Sequence, residues 1–117
     1  MRREALKRLL DAFEAIEAIE RFTENCTLDH YLENELIQSA VERKFEIIGE
    51  ALKRALEADS HVLVIIPDLR RIVGTRNRII HVYEAVDQLI LWDSIQNDLP
   101  GLKSSLLAAL ERDPPTT

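Results

Sequence analysis

The constraint that most limits what this chain can fold into is the spacing of its apolar residues, read against the near absence of residues that interrupt a helix. Only three glycines and four prolines occur in 117 residues, and two of those prolines fall after Asp113. From residue 4 to 22, Leu6, Leu9, Leu10, Phe13 and Ile16 recur at intervals of three and four, which places them on one face of a helix. A longer run from about Asn34 to Leu56 carries Ile37, Ala40, Val41, Ile48, Ala51, Leu52 and Ala55 on one stripe. Gly49 within it marks a place where another helix can pass closely. The two runs predict an all-α, up-down antiparallel bundle of four to five helices.

The segments between them are read from turn and cap chemistry. "NCTLDHYLENE" breaks the periodicity, with Thr27 as N-cap of a short turn and Asp29 as the alternative. "HVLVII" has β-branched residues, but a lone strand has no ladder partner elsewhere, so an apolar loop or single helical turn is expected. Pro67 suits the first turn of a helix continuing through "DLRRIVGTRNRIIHVY". After a break at Glu84 to Val86, Asp87 is a good N-cap for a last helix, which Pro100 and Gly101 should kink or split. Residues 1–112 are expected to form one domain and 113–117 a disordered tail.

No stretch approaches the roughly 20 uncharged apolar residues of a membrane helix, and the first twenty residues are too charged for a signal peptide. A cytoplasmic protein with no membrane partner is expected. The lone Cys26 cannot form an internal disulfide and reads as a half-buried residue at a helix end. No His, Cys, Asp or Glu group has metal-ligand spacing, so neither a metal nor another cofactor is expected.

The net charge of −6 argues against a general nucleic-acid coat. The charge is nevertheless uneven: residues 69–83 hold four arginines (Arg70, Arg71, Arg76, Arg78) and no acid. A small basic site on an acidic body suits a localised anion. With about 100° per residue and Leu69 as reference, Ile72, Val73, Arg76, Ile80 and Tyr83 fall within roughly 60° of one direction. Arg76 therefore stands in the apolar stripe, whereas Arg70, Arg71 and Arg78 point toward solvent. A guanidinium against a core needs a paired anion or an open cleft. One reading is a buried ion pair with Glu17, Glu20 or Glu50. The other is a fork awaiting phosphate.

His81 and Asn77 share an edge of the same helix, so an imidazole, an amide and a stripe arginine occur within six residues. His30 and His61 read as surface residues. Arg76 and His81 are about 140° and roughly 7.5 Å of rise apart, too far for one helix to aim both at one atom. Two copies meeting about a two-fold axis would bring both pairs to a shared cleft, which predicts a homodimer or higher assembly.

The string Arg76-Asn77-Arg78-Ile79-Ile80-His81-Val82-Tyr83 matches R-x-x-x-x-H-x-Y with asparagine after the arginine. It resembles the motif of HEPN-superfamily domains, and more narrowly of the HepT-like ribonuclease toxins. "AVERKFEIIGEALKR" resembles that family's second-helix signature. "IPDLRRIVGTRNRIIHVYEAVD" followed by "LWDSIQNDLPGLK" resembles its C-terminal half. Val82 and Thr75 stand where members often have glycine and a larger apolar residue. The resemblance implies a metal-independent endoribonuclease, acting on RNA in the dimer cleft with Arg76 and His81 as catalytic pair and Asn77 assisting. Glu50 and Arg78 are possible supporting residues. The resemblance also implies a minimal nucleotidyltransferase antitoxin of the MntA type that transfers AMP to Tyr83. On the stripe alone, Tyr83 reads equally as a buried aromatic. The competing expectations are a non-catalytic helical dimer that binds nucleotide or serves as the nucleotidyltransferase's partner subunit, and a family member whose site is sealed by Glu50 or Glu17.

Overall fold

Alternating stripes of leucine, isoleucine and alanine become the two longest helices, α1 (Arg3–Phe22) and α3 (Glu35–Ala58). The computed structural model of the chain describes residues 1–74 and 87–113, and all regular structure among them is helical. The remaining elements are α2 (Leu28–Glu33), α4 (Val62–Ile65), α5 (residues 69–74), α6 (Gln88–Asn97) and α7 (Leu99–Arg112). No helix among the described residues is long and apolar enough to cross a membrane.

Helices α1 and α3 pack most extensively against each other, and α7 lies next against α1. The seam is lined by small residues. Ala5, Ala12 and Ala15 of α1 are buried, as are Ala51 and Ala55 of α3. With so little side chain between them the backbones approach closely, and Leu9, Ile16, Ile19, Ile48 and Leu52 interleave as fully buried residues. The expected stripe on α3 is present from Val41 onward and also takes in Phe45. Ile37 and Ala40, one to two turns earlier, are only half-buried.

Helix ends follow the expected cap chemistry, with two adjustments. Thr27 caps α2, its Oγ1 accepting the His30 N–H at 3.1 Å, and Asp29 falls in the first turn instead. Asn34 ends α2 and begins α3, accepting the Ile37 N–H on Oδ1 at 3.0 Å. Gln38 Nε2 reaches back to donate to the carbonyls of Tyr31 (2.9 Å), which also accepts the Asn34 N–H, and Leu32 (3.1 Å), adding acceptor contacts at the end of α2. Before α2, Asn25 takes a positive φ of 60°, a conformation asparagine tolerates better than most residues.

Of the two forms expected for "HVLVII", an apolar loop or a single helical turn, the turn is found: α4, with its first residue Val62 and its C-cap Ile66 both buried. Pro67 differs slightly from its expected place. It stands in the turn before α5, where Leu69 donates its N–H to the Ile66 carbonyl at 3.0 Å and a residue without an N–H does no harm. The last helical stretch is split as expected, but at Asp98, two residues before Pro100. Pro100 thus sits in the first turn of α7, where its missing N–H would have had no helical partner. Ser94, buried at the end of α6, donates to Asp98 Oδ2 at 3.1 Å. Asp113 accepts from the Met1 ammonium at 3.2 Å, and the rest of the expected tail, residues 114–117, lies outside the described residues.

Helix α1 has no side-chain cap of its own. Its start is instead held from across the fold: Asp59, which follows α3, accepts the Arg2 N–H at 2.9 Å on one carboxylate oxygen and the His61 N–H at 3.0 Å on the other. These two bonds, the Arg2 one first, hold the Asp59 carboxyl below its ordinary value of 3.8. A group whose proton affinity falls on folding adds stability above its unfolded pKa and loses that contribution as pH falls through its folded value. Asp59→Ala should therefore lower Tm by a few degrees at neutral pH, with the deficit shrinking below about pH 3.8 in a pH series of thermal melts. At the seam, Ala12→Leu should cost about 1–3 kcal/mol in chemical denaturation, because the added methylenes force α1 away from its partners.

Candidate functional site

Of the expected site, Arg76, Asn77, Arg78, His81 and Tyr83 lie outside the described residues, as does the expected helix break at Glu84 to Val86. Glu50 is inside. The structure therefore defines the frame on either side of residues 75–86. On the near side, Leu69 is buried and Ile72 and Val73 are half-buried against the core, matching the stripe predicted for that helix. Arg70 and Arg71 are exposed, as their angles predicted. Arg71 pairs with Asp98 at 3.3 Å and with Asp68 at 3.7 Å, tying α5 to the α6–α7 junction.

On the far side, Asp87 caps α6 as expected, accepting the N–H groups of Leu89 (3.0 Å) and Ile90 (3.3 Å) on Oδ1. The next residue starts a chain of side-chain hydrogen bonds that the sequence reading missed. Tyr31 is fully buried, and its hydroxyl donates to Gln88 Oε1 at 2.6 Å. Gln88 Nε2 in turn donates to Glu42 Oε2 at 3.1 Å. Burial pushes the Tyr31 phenol well above its usual range, with the Glu42 carboxylate and Cys26 adding to the effect. The phenol accordingly remains a donor at ordinary pH. That fixes the orientation of the Gln88 amide, oxygen toward Tyr31 and nitrogen toward Glu42. The Tyr31 ring also packs against Trp92 of α6, centroids 5.2 Å apart and tilted by 41°. The available sequence signal was slight: one aromatic between two helix caps, Thr27 and Asn34.

The three carboxylates considered as partners for Arg76 are differently placed. Glu20 accepts from Lys103 Nζ at 2.7 Å, holding that ammonium above its usual value, and Lys103 also lies 5.8 Å from the Phe13 ring centroid. Glu17, half-buried one turn earlier, adds to the same negative field at Lys103. Glu50 accepts from Arg54 Nε at 2.8 Å and lines a groove of about 630 Å³ along the α1–α3 seam. That groove combines the cations Arg8, Arg43, Lys44 and Arg54 with the acids Asp11, Glu14, Glu46 and Glu50 over a floor that includes Ala15, Ile47 and Ala51.

Cys26 is half-buried beside the Thr27 carbonyl, at 3.5 Å, in keeping with its expected place at a helix end. His30 and His61 are exposed. Among the described residues no group of three or more His, Cys, Asp or Glu side chains is arranged to hold a metal ion.

Helical structure throughout the described residues, with alanines buried on both of the longest helices, and a basic R-x-x-x-x-H-x-Y string at residues 76–83 of the sequence define the class to which the chain can be compared. The ribonuclease HepT-like family model matches residues 12–109, and the chain belongs to that family. It is 38% identical over 103 residues to the probable ribonuclease HepT of Thermococcus cleftensis, covering 88% of this chain and 93% of that protein. A candidate RNase of Methanocaldococcus jannaschii is 33% identical over 95 residues, covering 81% of this chain and 78% of the relative. A candidate RNase of Caldanaerobacter subterraneus is 27% identical over 87 residues, 74% of this chain and 77% of the relative. No solved structure gives a significant match.

Because Asp87 supplies two of the orphan N–H groups of α6 with an acceptor, Asp87→Ala should destabilise the protein by about 1 kcal/mol, measured by urea denaturation, while Asp87→Ser should recover most of the loss.

Proposed function

We propose that this chain is the toxin component of a toxin–antitoxin pair, a metal-independent endoribonuclease whose site forms where two copies bring Arg76, Asn77 and His81 to a shared cleft. The observation that carries this reading is the family match across residues 12–109, with the whole R-x-x-x-x-H-x-Y string inside the matched range. The names of the relatives, ribonuclease among them, point to RNA as substrate. We read residues 1–112 as the single functional domain, supported by the packing of α1 against α7 near its two ends.

RNA carries its own nucleophile. Attack of a 2′-OH on the adjacent phosphorus breaks the bond to the 5′-oxygen and leaves a 2′,3′-cyclic phosphate and a 5′-hydroxyl. An enzyme must then take one proton, give one proton and stabilise the charge that builds on phosphorus. One His81 accepts the 2′-OH proton and the second, across the dimer, protonates the departing oxygen, which an imidazole can do near neutral pH. Arg76 holds the nonbridging oxygens through its planar fork, and Asn77 donates a hydrogen bond or fixes the imidazole. Arg78 and Glu50 are supporting groups in this scheme.

Control falls to a minimal nucleotidyltransferase antitoxin that transfers AMP from ATP to the Tyr83 hydroxyl, the phenol oxygen displacing pyrophosphate and losing its proton. The added phosphodiester and base block the site by occupancy and by charge beside Arg76. Purified His81→Ala and Arg76→Ala proteins, still folded and dimeric, should lose RNA cleavage by at least about 100-fold in EDTA. Wild-type-like cleavage by either variant would remove the proposed site. Intact mass after co-expression with the nucleotidyltransferase should rise by whole AMP units, and Tyr83→Phe should abolish the increase.

A further inference from the structure

The first turn of α6 is held to the core by apolar contacts and by a directed polar one. Asp87 is exposed and Leu89 is 57% exposed, whereas Ile90 packs half-buried against the core and Leu91 is fully buried. To that packing Gln88 adds a polar tie, through the Tyr31 hydroxyl on one side and the Glu42 carboxylate on the other. Tyr31 and Glu42 are themselves on different helices, α2 and α3, so three elements converge on one amide. A buried phenylalanine would fill the same space with no need for a partner. The buried hydroxyl is tolerated because it is bonded, and its bond adds a direction that apolar packing lacks.

Gln88 follows His81 by seven residues and Tyr83 by five in the sequence. We propose that Gln88 is a positioning residue for the ribonuclease site, with the Tyr31–Gln88–Glu42 chain fixing the rotation of the first turn of α6 and so the point where the motif-bearing backbone joins the core. The inference rests on the reading that Arg76 and His81 perform the chemistry. A displacement of about 1 Å at such a site can cost about 100-fold in rate, so a small error at the junction reaches catalysis rather than substrate affinity.

The test exploits the donor order. Gln88→Glu sets two carboxylates against each other. The double variant Q88E/E42Q reverses the bond, because the carboxylate now at position 88 accepts from both the Tyr31 hydroxyl and the amide now at position 42. RNA cleavage is measured in EDTA at a temperature where melts show every variant folded. Gln88→Glu should lower kcat by about tenfold or more with KM within about twofold, and the double variant should return kcat to within about threefold of wild type. Tyr31→Phe, which keeps the ring against Trp92, should lower kcat in the same way and serves if Gln88→Glu fails to fold. Undiminished kcat in a folded Gln88→Glu or Tyr31→Phe protein overturns the proposal. So does a double variant that recovers Tm while kcat stays low. A wild-type protein that cleaves no RNA overturns instead the catalytic reading on which the proposal rests.

Discussion

The extensive packing of α1 on α3, with alanines buried on both helices, is the constraint on which the rest of the fold depends. Buried alanines on both helices, Ala5, Ala12 and Ala15 on α1 and Ala51 and Ala55 on α3, occupy little volume, and Leu9, Ile16, Ile19, Ile48 and Leu52 fill the core beside them. That placement determines where α7 can lie along α1, and α6 follows by packing on α7. It also brings the beginning of α1 to the residues after α3, which is why Asp59 can serve as an acceptor for Arg2 and His61 together.

Around this seam, short elements are held by polar groups rather than by area. Helix α2 is six residues long, well below the length at which an isolated helix persists in water. It has a cap at its start, Asn34 at its end, two carbonyls accepting from Gln38, and one buried side chain. That side chain is a tyrosine whose hydroxyl is used. The same economy recurs at the α6–α7 junction, where Asp98 gathers Ser94 from its own helix and Arg71 from α5. Polar anchors of this kind set angles as well as distances, and they lie on both sides of residues 75–86.

The helices were legible in the sequence because a periodic apolar face and a capping residue are local signals. Thr27 and Asp87 could be named as caps from their neighbours alone, and the single turn at Val62–Ile65 followed from the absence of a partner for a strand. The directions of Leu69, Arg70 and Arg71 also followed from arithmetic on one helix. The Tyr31–Gln88 bond did not, since it joins residues 57 apart and depends on how three helices fold back on one another. The engagement of Glu20 by Lys103, 83 residues away, is of the same kind: sequence offers many carboxylates for a cation, and only packing chooses among them. The R-x-x-x-x-H-x-Y string was visible as a pattern, and the family match across residues 12–109 contains it.

The groove beside Glu50 bears on how a polyanion would meet this molecule. Its cations are interleaved with an equal number of acids, several at hydrogen-bond distance along the same helices, so the surface between α1 and α3 offers little net positive potential. The same pairing of cation with acid recurs outside the groove, where Arg71 meets Asp68 and Asp98. An anion approaching the groove would therefore meet guanidiniums already held by carboxylates rather than a bare positive face.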